Sequence, residues 1–163
     1  VLLNLAFVGR LDLLGTLSDM DFCAPREVLD EVLRPRERAL VETALADRHL
    51  VEVALEGSES LKIFADLLQI MGRGESACLA LATRCQGWVA SDEKRAFRRE
   101  AERLLGPGAI LNTPGILVLA IRRGLIGLDE ADRMKQVLEQ HRFKMTFGSF
   151  VELMSLEMRN QGV

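Results

Sequence analysis

Apolar residues recur along this chain in two rhythms, one of three to four residues and one of two, and the rhythms alternate. Leu2, Leu3, Leu5 and Ala6, then Leu11, Leu13, Leu14 and Leu17, have helical spacing interrupted at Gly9 and Gly15. Phe22-Cys23-Ala24 predicts a short strand entering a helix, with Pro25 in the first helical turn, where its missing N–H would be unpaired anyway. That helix is expected to reach about Leu33 and to be stopped by Pro35. Arg36 to Asp47 predicts a polar helix, and His49 to Ala54 alternates as a strand. Leu61, Phe64, Leu67, Leu68 and Met71 mark one helix face, which Gly72-Arg73-Gly74 breaks. Glu75 to Cys85 is apolar almost all round, so a buried helix is expected. Trp88 to Ser91 predicts a strand, Asp92 to Leu105 a charged helix, Gly106-Pro107-Gly108 a turn and Ala109 to Leu111 a strand. Thr113 to Arg123 reads as a helix with Pro114 in its first turn and Gly124 as its cap, and Asp129 to His141 as another. Phe147, Phe150, Val151, Met154 and Met158 predict a final apolar stripe, with Leu153 and Leu156 off it. A helix apolar on two sides needs two surfaces, so a homodimer, or a partner segment beside this helix, is expected.

Strands alternating with helices predict an α/β fold with a parallel sheet flanked by helices, and one domain over residues 1–163. Hydrophobic residues make up 48% and charged residues 28%, a globular composition, and the net charge of −3 excludes bulk attraction to nucleic acid. Binding to a polyanion therefore requires a local basic patch. Cys23, Cys78 and Cys85 are odd in number and widely placed, no Cys-x-x-Cys occurs, and His49 and His141 are isolated. Structural zinc is not expected, and a reducing, cytoplasmic setting is. No apolar run has the length of a membrane span; Ile116 to Ile121 is far too short. Val1 to Val8 resembles a signal-peptide core but has no basic leader, has no small-residue cleavage site and contains Asn4, so the chain is read as beginning inside a domain.

Three acids carry the candidate chemistry. Asp92 closes the strand Gly87 to Ser91, and chemistry in an open α/β sheet sits outside the carboxyl ends of strands. It could equally cap the helix that follows. Glu75 opens a buried helix, where a carboxylate either complements the helix dipole or pairs with a cation. Glu31 lies on a helix whose charged face also carries Glu27, Asp30 and Arg34, and taken alone it reads as a solvated side chain paired with Arg34. Together, three hard oxygen donors suit Mg²⁺ or Mn²⁺, which activate water and neutralise phosphodiester charge. Arg95, Arg99 and Arg103 form a stripe on the helix after Asp92; a solvated face is the default and a phosphate-contacting edge the alternative. Gly72-Arg73-Gly74-Glu75-Ser76-Ala77 matches a dinucleotide fingerprint, but the preceding segment has helical spacing and Glu75 would face a pyrophosphate, so that match is accidental.

The order of these segments resembles the PIN-domain family, in particular PIN-like proteins related to VapC-type toxins. Gly72 to Ala82 resembles its Gly-x-Gly-Glu run before an alanine-rich helix, Val89 to Lys94 its strand-then-acid segment, Pro25 to Val32 its second acidic helix, and Gly108 to Ile126 its closing segment. The resemblance implies a three-layer α/β/α fold with a central parallel sheet and a Mg²⁺ or Mn²⁺ site. It also implies single-stranded RNA as substrate, with an antitoxin protein as partner and no membrane. Glu31, Glu75 and Asp92 match three of the family's acids as metal ligands and catalytic residues. Thr113 matches a polar position near the site, where it would contact nucleic acid, and Arg95 or Arg98 would steady the RNA backbone. The family's first strand and first acid are expected just upstream of Val1. The implied activity is metal-dependent endoribonuclease action; the alternative is a non-catalytic nucleic-acid- or protein-binding module on a degenerate PIN fold.

Overall fold

A computed structural model describes residues 1–93 and 95–161, with side chains described through residue 156. Met158, expected in the final stripe, lies outside the described side chains. The elements in chain order are α1 (Leu2–Phe7), α2 (Asp12–Thr16), β1 (Cys23–Pro25), α3 (Arg26–Asp30), α4 (Pro35–Ala46) and β2 (Val51–Val53). They continue as α5 (Ser58–Leu67), α6 (Arg73–Cys85), β3 (Val89–Ala90), α7 (Ala96–Leu105), β4 (Ile110–Leu111), α8 (Thr113–Arg122), α9 (Leu128–Gln140) and α10 (Phe150–Gln161). The class is the expected mixed α/β fold, with parallel strands flanked by helices. Among the described residues the strands form two pairs, β1 with β2 and β3 with β4, both parallel.

Three apolar clusters hold the layers together. One joins α1, α2, α3 and α4 around Leu5, Leu14, Leu29 and Val41. A second packs α8, α9 and α10 around Leu117, Met134 and Phe150. The third seats α6 against α5 and α7 through Leu67, Leu79 and Phe97. Helix α6 is the buried one: Ala77, Leu79 and Ala80 have no exposed surface, in keeping with its nearly all-round apolar sequence.

Four local expectations are corrected. Gly15 lies inside α2 rather than ending a helix, because His49 packs against it: a Cβ at Gly15 would stand 2.2 Å from the ring's Cδ2. Pro25 is the last strand residue and caps α3 with extended backbone, and α3 stops at Asp30 rather than near Leu33. The Leu29 carbonyl accepts a bond from Arg38 Nη1 at 2.9 Å, and Pro35 holds Arg34 extended and starts α4. Helix α7 begins at Ala96 rather than at Asp92, since Arg95 has a left-handed φ of 55° and the Asp92 side chain is bound elsewhere. On α10, Leu153 packs on the core beside Phe150 while Val151 and Leu156 are exposed, so the buried stripe is rotated from the one predicted.

Candidate functional site

Asp92 follows β3 directly, and its carboxylate is held from two sides. Oδ1 accepts from the Thr113 backbone N–H at 2.8 Å, in the first turn of α8. Oδ2 accepts from the Thr113 hydroxyl at 2.6 Å and from Asn4 Nδ2 at 3.0 Å, and the α-ammonium of Val1 lies 2.9 Å from the same oxygen. Asn4 also donates to the Thr113 hydroxyl oxygen at 3.2 Å, so α1, β3 and α8 meet at one carboxylate. Thr113 is fully buried and positioned by Asn112, whose side chain caps α8 by accepting from the Gly115 N–H at 2.8 Å. Burial alone would raise the Asp92 pKa. The Val1 ammonium and the Thr113 hydroxyl and N–H outweigh it and hold the carboxyl below its ordinary value.

Glu31 and Glu75 converge on the start of α6. Glu75 Oε2 accepts from the Gly72 N–H at 3.0 Å, half of a capping box. Glu31, just past the end of α3, reaches across with Oε1 and accepts from the Gly74 N–H at 2.9 Å. A Cβ at position 74 would lie 2.7 Å from Glu31 Oε2, so a side chain there would displace the Glu31 carboxylate. Cys78 lies one helical turn further along α6. Its thiol is pushed up to about 12, first by burial, then by the negative fields of Cys23 and Glu31, with Glu75 adding to them and the Val1 ammonium opposing.

These acids are hard oxygen donors. Yet among the described residues no three His, Cys, Asp or Glu side chains come close enough to hold one ion together. In this arrangement each carboxylate is bound by protein donors. The donor chemistry suits a divalent cation, while the geometry brings Glu31 and Glu75 to one helix start and Asp92 to a separate hydrogen-bonded cluster.

Arg95 and Arg98 are exposed at the start of α7, in the segment after Asp92. Arg99 and Arg103, the rest of the stripe read from sequence, both pair with Glu100, at 3.1 and 2.7 Å. Sequence reasoning missed Asn4 as a partner of Asp92, although it is the one polar residue in α1. It also missed the approach of Glu31 to Gly74, for which only the Gly-x-Gly spacing offered a signal.

Among the described residues no helix is long and apolar enough to cross a membrane. No curated protein and no solved structure matches the chain. A domain-family profile described as a PIN domain matches residues 1–153, covering both strand pairs, all three acids and Thr113. The chain belongs to the PIN-domain family.

Proposed function

We propose that this protein is a Mg²⁺- or Mn²⁺-dependent endoribonuclease that hydrolyses phosphodiester bonds of single-stranded RNA, as the toxin of a toxin–antitoxin pair. The observation that carries this reading is Asp92: a mostly buried carboxylate at a strand's carboxyl end, held by the Thr113 hydroxyl and N–H and by the Asn4 amide. Asp92 is the principal ligand in this reading, with Glu75 and Glu31 completing the set. A bound divalent ion supplies water activation and offsets charge on the scissile phosphate. Thr113 and Asn4 hold Asp92 in position, and Arg95 and Arg98 contact the RNA backbone from the start of α7. This reading requires the family's first acid, and an aspartate two to four residues before Val1 would supply it. An antitoxin protein and a second copy of the chain are its proposed partners; Val151 and Leu156, exposed on α10, favour the dimer.

A second reading has its own support. Every acid of the site is satisfied by protein donors, and no three ligands gather among the described residues, as suits a binding module that has kept the fold without the chemistry. The coding sequence upstream of Val1 separates the two: an aspartate there favours the enzyme, and its absence favours the module. Cleavage of labelled single-stranded RNA with Mn²⁺ is the direct assay. The enzyme reading expects cutting that Asp92→Asn abolishes, because the substitution keeps the shape and removes the charge that a hard cation needs. Undiminished cutting by Asp92→Asn, in a preparation free of contaminating nuclease, overturns it.

A further inference from the structure

The three cysteines come from two distant stretches of chain and meet at one cavity. Cys78 and Cys85 are seven residues apart on α6, so they share a helix face and stand about 10 Å apart along it. Cys23 opens β1, against which α6 packs. All three line a single cavity of about 220 Å³. Asp21 and Phe22, just before Cys23, and Gly87 and Trp88, just after Cys85, line it as well. The beginning of β1 therefore lies beside the end of α6.

The three thiols are not equivalent. Cys23 and Cys85 are exposed and Cys78 is half-buried. Burial pushes the Cys23 thiol up, the negative field of Cys85 adds to this, the Arg84 guanidinium opposes it, and Asp21 adds again. Cys85 and Arg84 are thus near enough to act on the Cys23 sulfur. Cys78, with its thiol at about 12, is protonated at neutral pH and is a poor nucleophile, since the thiolate is the reactive form. The reactive pair is therefore Cys23 and Cys85, with Cys85 next in sequence to a positive charge.

We propose that Cys23 and Cys85 are a peroxide-sensitive dithiol, which closes into a reversible disulfide between the beginning of β1 and the end of α6. Hydrogen peroxide is the oxidant. The Cys85 sulfur attacks one peroxide oxygen, the O–O bond breaks, and the thiol proton leaves with the other oxygen as water. The Cys23 sulfur then attacks the sulfur of the Cys85 sulfenic acid. The S–S bond forms, the S–O bond breaks, and hydroxide leaves with the Cys23 proton as a second water. Two electrons pass from the sulfurs to peroxide, and a small dithiol returns them by thiol–disulfide exchange. The bond closes a loop that contains both Glu31 and Glu75. It joins β1 to the end of α6 opposite the one that Glu31 holds through the Gly74 N–H. This chemistry is independent of RNA cleavage.

The test treats the purified protein with a small excess of hydrogen peroxide, counts free thiols after unfolding, and maps tryptic peptides without reduction. Trypsin cuts after Arg84 and so puts Cys78 and Cys85 in separate peptides. The protein is expected to fall from three thiols to one, to yield a Cys23–Cys85 linked peptide at every protein concentration, and to recover all three thiols with dithiothreitol. Closing a loop of this length should also raise Tm, by roughly 5–10 °C. Cys78→Ser should still form the bond, whereas Cys23→Ser should stop at a Cys85 sulfenic acid that dimedone traps. Oxidation that leaves Cys23 unlinked overturns the dithiol, and so does a link through Cys78. A Cys23–Cys85 link that vanishes on dilution overturns it too, since the bond would then join two copies. Should Cys78→Ser fail to fold, the peptide map of the unsubstituted protein decides alone.

Discussion

Replacing Thr113 with valine tests how the Asp92 cluster is held. Valine matches threonine in shape and removes only the hydroxyl that donates to Asp92 Oδ2 at 2.6 Å. The backbone N–H of residue 113 continues to donate to Oδ1, and Asn4 loses one of its two acceptors. A hydrogen bond to a charged group contributes about 1.5–3 kcal/mol. The Asp92 side chain is only 15% exposed, so solvent replaces little of it. Thr113→Val is therefore expected to destabilise the fold by about 2 kcal/mol at pH 7, which for a domain of this size lowers Tm by roughly 4–8 °C. The effect depends on pH in a definite direction. The folded carboxyl has a lower pKa than the unfolded chain's, so its stabilisation is fully present above the unfolded value of about 4 and is lost as pH falls through the folded value. The difference between wild type and Thr113→Val should shrink over the same range. Urea unfolding at a series of pH values reads both quantities. A loss below about 0.5 kcal/mol at pH 7, the scale of ordinary surface changes, would refute the reasoning, as would a loss that does not vary with pH.

Other substitutions test the packing. Gly15→Ala should cost about 1–3 kcal/mol by overpacking, since its Cβ would meet both the ring and, at 3.1 Å, the Cα of His49; a denaturant midpoint equal to wild type would contradict the close approach. Gly74→Ala should stay within about 1 kcal/mol of wild type, because the lost Glu31 bond is offset by removing glycine from a helix. Its Glu31 carboxylate should nonetheless swing away, visible as a changed Glu31 side-chain resonance, and an unmoved Glu31 would count against the assigned contact. Leu153→Ser should cost about 1–3 kcal/mol, while Val151→Ser and Leu156→Ser stay within about 0.5 kcal/mol in thermal melts; the reverse ranking would restore the stripe read from sequence.

Local pattern carried much of the fold. The strand–helix alternation, the buried character of α6, the α8 helix with Gly124 just beyond it at φ 68°, and the position of Asp92 after a strand were all legible, because each depends on neighbours in sequence. Contacts that cross the fold were not. Asn4 meets Asp92 across 88 residues, and Glu31 meets Gly74 across 43; no spacing rule reaches that far. On α10 both candidate faces carry apolar residues, so periodicity could not decide which one the core takes, and the seating of Phe150 against α9 decided it. The start of α7 moved for the same kind of reason: Asp92 is engaged by Thr113 and is not available to cap a helix.

The start of α6 illustrates what two carboxylates do to a helix end. Free N–H groups at a helix amino terminus form a positive pole that ordinarily welcomes phosphate. Here Glu75 takes the Gly72 N–H and Glu31, borrowed from outside the helix, takes the Gly74 N–H. The two carboxylates complement the positive pole. A Gly-x-Gly segment that in another setting would offer its N–H groups to a nucleotide's phosphates here has two of them, those of Gly72 and Gly74, already bonded to carboxylates.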